Sequence, residues 1–261
     1  MITKWNFQTP TEEELHKRDR LASQLGLSPV VCLLLVQRGL TTVEEVKKFF
    51  KPSLNDLHDP FLMPDMEKAV KRLNKALGNK EKILIYGDYD VDGTTAVSLV
   101  YKYLRPYSSA LDYYIPDRYD EGYGISYKGI NYARENGITL VISLDCGIKA
   151  IEEIAYAKSK GIDFIICDHH VPDETLPPAV AILNPKMPGT TYPCTHLSGC
   201  GVGFKFMQAF AQSNGLGIHN ELESMLDLVA VSIASDLVPI VGENRIMAYH
   251  GLRRVNSNPN L

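Results

Sequence analysis

The pattern of apolar and polar residues changes near residue 80, where one periodicity gives way to another. Before that point, apolar residues recur at the three- and four-residue spacing of helices. Start signals precede the runs, such as the capping box formed by Thr11 and Glu14. We therefore predict an N-terminal helical subdomain over residues 1–80. Its four helices begin at Thr11, Ser28, Thr41 and Pro64.

From residue 81 onward, short apolar runs alternate with amphipathic segments near 94–105, 126–136 and 149–160. This alternation is typical of βαβ units. The fold class that we predict for residues 81–261 is therefore α/β, a mainly parallel β-sheet flanked by helices. Further helices are expected near 201–213, 221–234 and 243–256. The predicted strands are Ile83–Tyr86, Leu111–Ile115, Leu140–Leu144, Phe164–Cys167 and Val180–Leu183.

Carboxylates and imidazoles follow three of these strands, and one more carboxylate follows an apolar helical segment. The carboxyl ends of strands in an open α/β sheet share one edge, so these side chains are expected to meet there. Each motif alone has an ordinary explanation as turn chemistry or a helix cap. Their coincidence favours a bound cation, because clustered like charges repel one another. The residues are Asp88, Asp90, Asp92, Asp145, Asp168, His169, His170 and Asp236.

The chemistry of these side chains indicates the class of metal. Carboxylates predominate, with one or two imidazoles and no thiolate, which suits Mn²⁺ or Mg²⁺. The number of acids suggests two ions. Two-ion sites typically hydrolyse phosphoesters or phosphoanhydrides, so that is the reaction class we expect.

Composition limits which other kinds of protein this chain can be. The formal net charge is −4, so a nucleic-acid role requires a local basic face. The five cysteines form no C-x-x-C pair and are odd in number, which argues against a zinc finger or a disulfide framework. A reduced, cytoplasmic protein is expected. The first residues do not resemble a signal peptide, and no apolar stretch approaches the ~18 residues of a membrane helix.

The motifs resemble, in order, those of one known family. Asp168-His169-His170 matches the triplet of the DHH phosphoesterase superfamily, and three other segments resemble motifs of its RecJ branch. Further similar stretches extend the resemblance over nearly the whole chain. The three segments are Gly87–Gly93, Leu144–Gly147 and Ala234–Pro239, and the further stretches include Pro116–Gly124, Leu197–Lys205 and Gly242–Arg245.

The resemblance implies a function and a set of partners. RecJ-type proteins are exonucleases that digest single-stranded DNA from 5′ to 3′ with Mn²⁺ or Mg²⁺, in DNA repair and recombination. Single-stranded DNA is thus the expected substrate. Single-strand-binding proteins and helicases are the expected protein partners, and no association with a membrane is expected.

The resemblance also implies roles for individual residues. Asp90 and Asp92 would contact the two ions, Asp145 would bridge them, and Asp236 would complete the shell of the second. His169 would be a ligand, and His170 a ligand or a contact to the scissile phosphate. Asp88 is expected to be a ligand or a neighbour that orients one, and Asp168 to orient a histidine. The catalytic set is then Asp145, His169 and His170.

Two features depart from the family pattern. Some members of the superfamily carry a histidine ligand where Tyr86 stands, so weaker binding of the first ion is expected. RecJ-type proteins also continue into a second domain of the catalytic cleft, the DHHA1 domain, and an oligonucleotide-binding domain. Neither is recognisable in this sequence, so the chain is expected to be an N-terminal fragment.

Several side chains are candidates for contacts to DNA. We predict substrate binding by Arg118, Tyr123, Gly201 and Lys205. Weaker candidates lie among the other arginines and aromatic residues, and most of these are expected to be ordinary surface or core positions. The Gly199–Gly203 segment either opens a helix whose amides face a phosphate or allows close packing, and spacing alone favours neither. The weaker candidates are Arg134, Arg245, Arg253, Arg254, Tyr119 and Phe204.

Two alternative functions remain open. One is a DHH phosphoesterase that acts on a small substrate, such as an oligoribonucleotide, a cyclic dinucleotide or pyrophosphate. The other is a nucleic-acid-binding scaffold without activity. The helical N-terminal part argues against the first, and the intact motifs argue against the second.

Overall fold

The computed structural model describes residues 9–216 and 221–260, which form two compact units. The first unit ends at Asn55 and the second begins at Asp56. The helix expected from Pro64 is therefore part of the unit that contains the sheet. The division that we expect between the helical subdomain and the phosphoesterase domain, after residue 80, stays a prediction. The N-terminal residues judged unlike a signal peptide lie outside the described residues.

From residue 9 to its end, the first unit contains three α-helices, α1 (Glu12–Leu25), α2 (Pro29–Gln37) and α3 (Val43–Phe50). Capping boxes start α1 and α3, at Thr11 and Thr42, which satisfies backbone N–H groups that the helix leaves unpaired. Pro29 occupies the first position of α2, where a missing N–H costs nothing. The small core of this unit is formed by Leu21, Cys32, Leu35, Val36 and Val46.

The second unit is built on a five-stranded parallel sheet, which confirms the predicted α/β fold. The spatial order of its strands is β2-β1-β3-β4-β5. The three central strands are nearly continuous apolar runs, as expected for strands covered on both faces. The strands are β1 (Lys82–Gly87), β2 (Leu111–Tyr114), β3 (Ile138–Leu144), β4 (Asp163–Cys167) and β5 (Ala181–Leu183).

Helices cover both faces of this sheet. The helices α6 (Tyr127–Glu135) and α7 (Ile151–Ser159) pack on β3 and β4, over a core that includes Leu84, Val141 and Phe164. On the other side, α5 contacts β1 to β3 and also packs against α8 and α9. The helices are α4 (Met66–Gly78), α5 (Val91–Leu104), α6 (Tyr127–Glu135), α7 (Ile151–Ser159), α8 (Gly199–Ser213), α9 (Leu226–Ser235) and α10 (Gly242–Val255).

Short 3-10 helices complete the chain, at Leu54–Asp56, Pro60–Leu62 and Glu223–Met225. The largest departure from the predicted boundaries is at α9, which begins at Leu226 rather than near residue 221, after the 3-10 helix Glu223–Met225. The helix α5 begins at Val91 rather than near residue 94. The reason is that Asp90 caps the helix by accepting a hydrogen bond from the amide of Gly93. Within residues 9–216 and 221–260, no helix is both long and apolar enough to cross a membrane.

Candidate metal centre

Asp145 lies directly beyond β3, at the carboxyl edge of the sheet, in a left-handed backbone conformation with φ of +60°. Its amide donates to the carbonyl of Cys167 at 2.9 Å, so the ladder between β3 and β4 continues for one residue past the strand. Left-handed backbone is uncommon for residues other than glycine and often marks a functional position. The conformation directs the Asp145 side chain toward the loops that follow the neighbouring strands, where it meets His169.

His169 is the central residue of the cluster. Its Nε2 atom lies 3.1 Å from Asp145 Oδ1, 3.6 Å from Asp236 Oδ2 and 3.8 Å from Asp92 Oδ2. These partners come from three different places in the fold, namely the end of β3, the end of α9 and the first turn of α5. The sequence motifs at these distant positions therefore converge on one imidazole.

Two groups of potential ligands result, and they share His169. Asp145, His169 and His170 form one group, and Asp92, His169 and Asp236 form the other, with the ligand atoms of each group within 4.8 Å of one another. Neither nitrogen of His169 has a hydrogen-bond partner among the described residues, nor does Asp145 Oδ1. Buried polar atoms are rarely left unpaired, so the donor set fits a divalent cation that accepts oxygen and imidazole ligands.

Asp92 is oriented by an unusual set of hydrogen bonds. The amides of Gly199 and Cys200, at the start of α8, donate to its two carboxylate oxygens at 2.6 and 2.8 Å. The hydroxyl of Ser232 on α9 donates to Asp92 Oδ1 at 2.7 Å. The positive end of α8 thus stabilises the negative charge of a predicted ligand. One Asp92 oxygen still faces His169.

These bonds decide between the two roles that the sequence left open for the Gly199–Gly203 segment. The first amides of α8 bind Asp92, and that of Gly201 donates to the capping hydroxyl of Ser198, so none of these three faces outward to a phosphate. A Cβ atom at Gly199 would lie 2.5 Å from the Cβ of Asp145. The first glycine of α8 therefore allows close packing against the metal centre. The predicted contact of Gly201 with the substrate through its amide is not supported.

Asp168 orients the second histidine. Its Oδ1 atom lies 2.7 Å from His170 Nδ1 and also accepts the amides of His169 and His170. Oδ2 accepts the amide of Ile148. With Nδ1 engaged, His170 can present Nε2 to a ligand, an arrangement common among metal-bound histidines.

Asp88 and Asp90 lie nearby but do not join either group of ligands among the described residues. Asp90 is exposed, and its Oδ1 caps α5 through the amide of Gly93. Asp88 is fully buried and accepts the amide of Gly124 at 3.3 Å. A direct contact of Asp90 with an ion stays a prediction.

The electrostatics of the cluster follow from burial and from repulsion between carboxylates. Burial, together with the charges of Asp92 and Asp90, raises the pKa of Asp145 to about 10. Burial likewise raises the pKa of Asp236, although His169 opposes the rise. The hydrogen bond that His170 donates to the Asp168 carboxylate raises the pKa of His170. The metal-free site therefore retains protons that a cation would displace.

Of the predicted substrate contacts, two lie on the loop that follows β2, near the metal centre. The Tyr123 hydroxyl donates to the Asp145 carbonyl at 3.2 Å and lies 3.3 Å from His170 Nε2, while 55% of the residue is exposed. Arg118 is exposed, with its guanidinium 5.2 Å from the centre of the Tyr89 ring. These two residues are accessible from solvent beside the cluster.

Lys205 and Phe204 are not accessible, which corrects their assignment to DNA binding. Lys205 is fully buried, and its Nζ donates to Glu243 at 2.8 Å and to the carbonyl of His58 at 2.6 Å. Burial lowers its pKa, while Glu243 opposes this change. Phe204 is part of the core. Both positions lie on α8, whose middle is buried on all sides, so neither side chain reaches a strand of DNA.

Sequence reasoning missed Ser232 as a contributor to the centre. Its hydroxyl binds Asp92, and its carbonyl accepts the amide of Asp236 at 2.9 Å. The hydroxyl also lies 2.6 Å from that of Ser198. A serine inside an apolar helix, four residues before a predicted ligand, was the available signal, because a buried hydroxyl needs a partner.

Comparisons with known proteins agree with this geometry. Residues 82–233 match the model of the DHH family, N-terminal domain. The chain is 42% identical over 253 residues to the single-stranded-DNA-specific exonuclease RecJ of Bacillus subtilis (strain 168), which covers 97% of this chain and 31% of the relative.

Solved structures show the same similarity. RecJ from Thermus thermophilus in complex with Mn²⁺ matches with a TM-score of 0.77 and 25% identity, over 93% of this chain and 34% of that one. An exonuclease RecJ bound to manganese matches with a TM-score of 0.69 and 29% identity, over 78% of this chain and 50% of that one. The chain spans between 29% and 44% of the length of the curated relatives that it matches. With more than half of its residues matched by the family model and its ligands gathered at the sheet edge, the chain belongs to the DHH family.

Proposed function

We propose that this chain carries the catalytic centre of a metal-dependent, single-strand-specific DNA exonuclease of the RecJ type, which digests DNA from the 5′ end. The observation that carries the proposal is the convergence of Asp92, Asp145 and Asp236 on His169, with buried ligand atoms that lack hydrogen-bond partners among the described residues. The identity to a named single-stranded-DNA-specific exonuclease supports the choice of substrate.

The two groups of ligands support a centre for two ions, Mn²⁺ or Mg²⁺. Asp145 would bridge the two ions, one of which would also be held by His170 and the other by Asp92 and Asp236. His169 would be a ligand of one of them, because its Nε2 atom has a single lone pair. The bound ions would supply Lewis acidity and charge stabilisation for hydrolysis of a phosphodiester. Manganese in two related RecJ structures supports this choice of metal.

The surrounding residues orient the predicted metal ligands and offer a contact to the substrate. Asp168 fixes the ring of His170, and the start of α8 with Ser232 fixes the carboxylate of Asp92. Tyr123 presents an aromatic ring beside His170, where a base of a single strand could stack. A role in repair and recombination, a cytoplasmic location, and association with single-strand-binding proteins or helicases follow from the family resemblance.

Cleavage of single-stranded DNA labelled at either end, with Mn²⁺, tests the proposal. Asp145→Asn removes a ligand charge, and Asp173→Asn is a matched control because Asp173 is an exposed carboxylate that pairs only loosely with Lys149 at 3.8 Å. We expect progressive loss from the 5′ end that disappears in Asp145→Asn and persists in Asp173→Asn.

Two other results would redirect the assignment. Cleavage of a cyclic dinucleotide, a short oligoribonucleotide or pyrophosphate, with no action on long single-stranded DNA, would replace the proposal with a small-substrate phosphoesterase. Binding of the labelled strand without cleavage of any of these substrates, in the presence of bound Mn²⁺, would favour a non-catalytic scaffold.

A further inference from the structure

Gly124, in the loop between β2 and α6, is held through both polar groups of its backbone. Its amide donates to Asp88 Oδ1 at 3.3 Å, and its carbonyl accepts the hydroxyl of Tyr86 at 2.9 Å. The same hydroxyl accepts the amide of Ser126 at 3.1 Å. Gly124 has a φ of +86°, a conformation that glycine adopts without strain. Two side chains from the end of β1 therefore fix the backbone of this loop.

Both side chains are well suited to act as fixed anchors. Tyr86 and Asp88 are buried, with 1% and 0% of their surface exposed. The Tyr86 ring stacks on Tyr114, with ring centres 5.4 Å apart, and a Cβ atom at Gly129 would lie only 2.6 Å from it. A ring packed this closely leaves its hydroxyl little freedom. The Tyr86 hydroxyl is thus engaged by the loop through both of its hydrogen bonds.

A second anchor fixes the earlier part of the same loop. Glu121 accepts the hydroxyl of Tyr114 at 2.8 Å, the hydroxyl of Ser126 at 2.5 Å and the amide of Asp117 at 3.0 Å. These bonds hold residues 117–126 in a compact loop. The C-terminal part of this loop is fixed by Tyr86 and Asp88. Tyr123 lies between the two anchored positions, Glu121 and Gly124, and it contacts Asp145 and lies beside His170.

We infer that Tyr86 and Asp88 are positioning residues that hold Tyr123 over the metal centre, and thereby set how a nucleotide of the substrate is bound. The inference rests on the proposed function for the identity of the substrate, but the anchoring of the loop stands on its own contacts. Tyr86 and Asp88 thus act on the substrate through the loop. The Tyr86 hydroxyl anchors the loop through two hydrogen bonds, and Asp88 does so through Oδ1 alone, since Asp88 Oδ2 has no hydrogen-bond partner among the described residues.

Hydrogen exchange followed by mass spectrometry tests the anchoring without any use of activity. Tyr86→Phe keeps the packed ring and removes both hydrogen bonds of the hydroxyl. We expect the amides of residues 117–126 to exchange about tenfold faster, since the lost bonds would otherwise limit local opening of the loop. Tyr156→Phe is the matched control, because its hydroxyl binds Asn131 at 3.0 Å, outside this loop. Unchanged exchange in Tyr86→Phe would overturn the inference.

Two further measurements separate positioning from metal binding. Calorimetry should give the same Mn²⁺ affinity for Tyr86→Phe as for the parent. The KM for single-stranded DNA should rise roughly five- to tenfold while kcat changes by less than about twofold, as expected when binding of the substrate is lost uniformly. A weakened Mn²⁺ affinity with unchanged loop exchange would assign Tyr86 to the metal instead.

The experiments also distinguish failure of this inference from failure of the proposed function. If the parent protein cleaves no single-stranded DNA, the proposed function fails, and the exchange experiment still decides whether Tyr86 anchors the loop. If the parent cleaves DNA and Tyr86→Phe has an unchanged KM, Tyr86 does not position the substrate, and the inference fails while the proposed function stands.

Discussion

His169 Nε2 and Asp145 Oδ1 lie 3.1 Å apart, and among the described residues neither atom has a hydrogen-bond partner. An unsatisfied buried polar atom costs about 1–3 kcal/mol, so a fold that keeps two of them in contact needs a reason. A shared cation provides one, because both atoms would then be ligands. The predictions below follow from this relationship and from the contacts that surround it.

Replacing Asp145 by asparagine should abolish metal-dependent cleavage while the fold is retained. Asparagine has the same shape and tolerates the left-handed conformation of this position. It removes a charge that the metal centre needs, so we expect cleavage to fall by at least about 100-fold, the upper range for loss of an outer partner of a metal ligand. Initial rates with saturating Mn²⁺ measure the effect. Full activity in the variant would end the assignment of Asp145 as a ligand.

The same substitution should change thermal stability in opposite directions with and without metal. Because burial and neighbouring carboxylates raise the pKa of Asp145, its ionised form destabilises the metal-free protein. Asp145→Asn should therefore raise the Tm of the metal-free protein. Adding Mn²⁺ should raise the Tm of the parent by more than it raises that of the variant. Equal stabilisation of both proteins by Mn²⁺ would place the ion elsewhere.

Loss of the Ser232 hydroxyl should weaken metal binding. The hydroxyl orients Asp92, and groups that orient metal ligands typically contribute about 10- to 100-fold to affinity. We expect Ser232→Ala to raise the Kd for Mn²⁺ within that range, measured by calorimetry. Ser235→Ala is the matched control on the same helix, because its hydroxyl donates to the Ser232 carbonyl rather than to a predicted ligand. Equal effects of the two substitutions would contradict the role of Ser232.

Metal affinity should increase with pH. The raised pKa of Asp145 means that the metal-free protein holds a proton at neutral pH, and a cation must displace it. For each displaced proton the apparent affinity should rise about tenfold per pH unit below that pKa. Titrations with Mn²⁺ at several pH values around neutrality, in buffers of different ionisation enthalpy, measure both the affinity and the protons released. An affinity independent of pH would contradict the shifted pKa.

The stability of the metal-free protein should depend on pH in the opposite direction from its metal affinity. Between the ordinary pKa of an aspartate and about 10, the folded metal-free protein binds a proton that the unfolded chain has lost. Asp145 should therefore make the metal-free protein less stable as pH rises through this window. Urea unfolding at several pH values, compared between the parent and Asp145→Asn, isolates this contribution. A stability difference between the two proteins that does not change with pH, or that favours the parent more as pH rises, would show that the pKa is not raised.

Arg72 should contribute to stability through its position at the opposite edge of the sheet. It joins α4 to the start of β1 and β4, by contacts of 2.7 Å to Glu81 and to Asp163, with 10% of its side chain exposed. We expect Arg72→Met to lower the free energy of unfolding by about 1–3 kcal/mol. Lys68→Met, on the same helix, removes an exposed ion pair and should lower the free energy of unfolding much less than Arg72→Met does. Urea unfolding checks both, and similar costs would contradict this account.

The sequence predicted the sheet well because local pattern and tertiary environment agree there. The apolar runs around Ile85, Ile142 and Ile165 are buried on both faces, and each predicted strand is present within about two residues of its expected bounds. The ligands followed from the same logic, since a carboxylate after a buried parallel strand must lie at the edge where the other strands end.

Other features required long-range contacts that no local pattern specifies. Lysine is a common residue type at DNA contacts, but Lys205 is buried. Its charge is paired with Glu243, which lies 38 residues later in the chain. The amides of Gly199 and Cys200 bind Asp92, which lies far earlier in the chain, and nothing in the local sequence distinguishes this partner from a phosphate. The left-handed backbone of Asp145 and the close approach of Gly199 to that residue are likewise not specified by any local pattern.

Calorimetric titration of the metal-free protein with Mn²⁺ tests the central claim most directly, because it asks whether the cluster around His169 is a metal centre. We predict binding of two ions, with at least one lost in Asp145→Asn and both retained in the surface control Asp173→Asn. Absence of binding in the parent, or binding of equal stoichiometry and affinity in Asp145→Asn, would contradict the account.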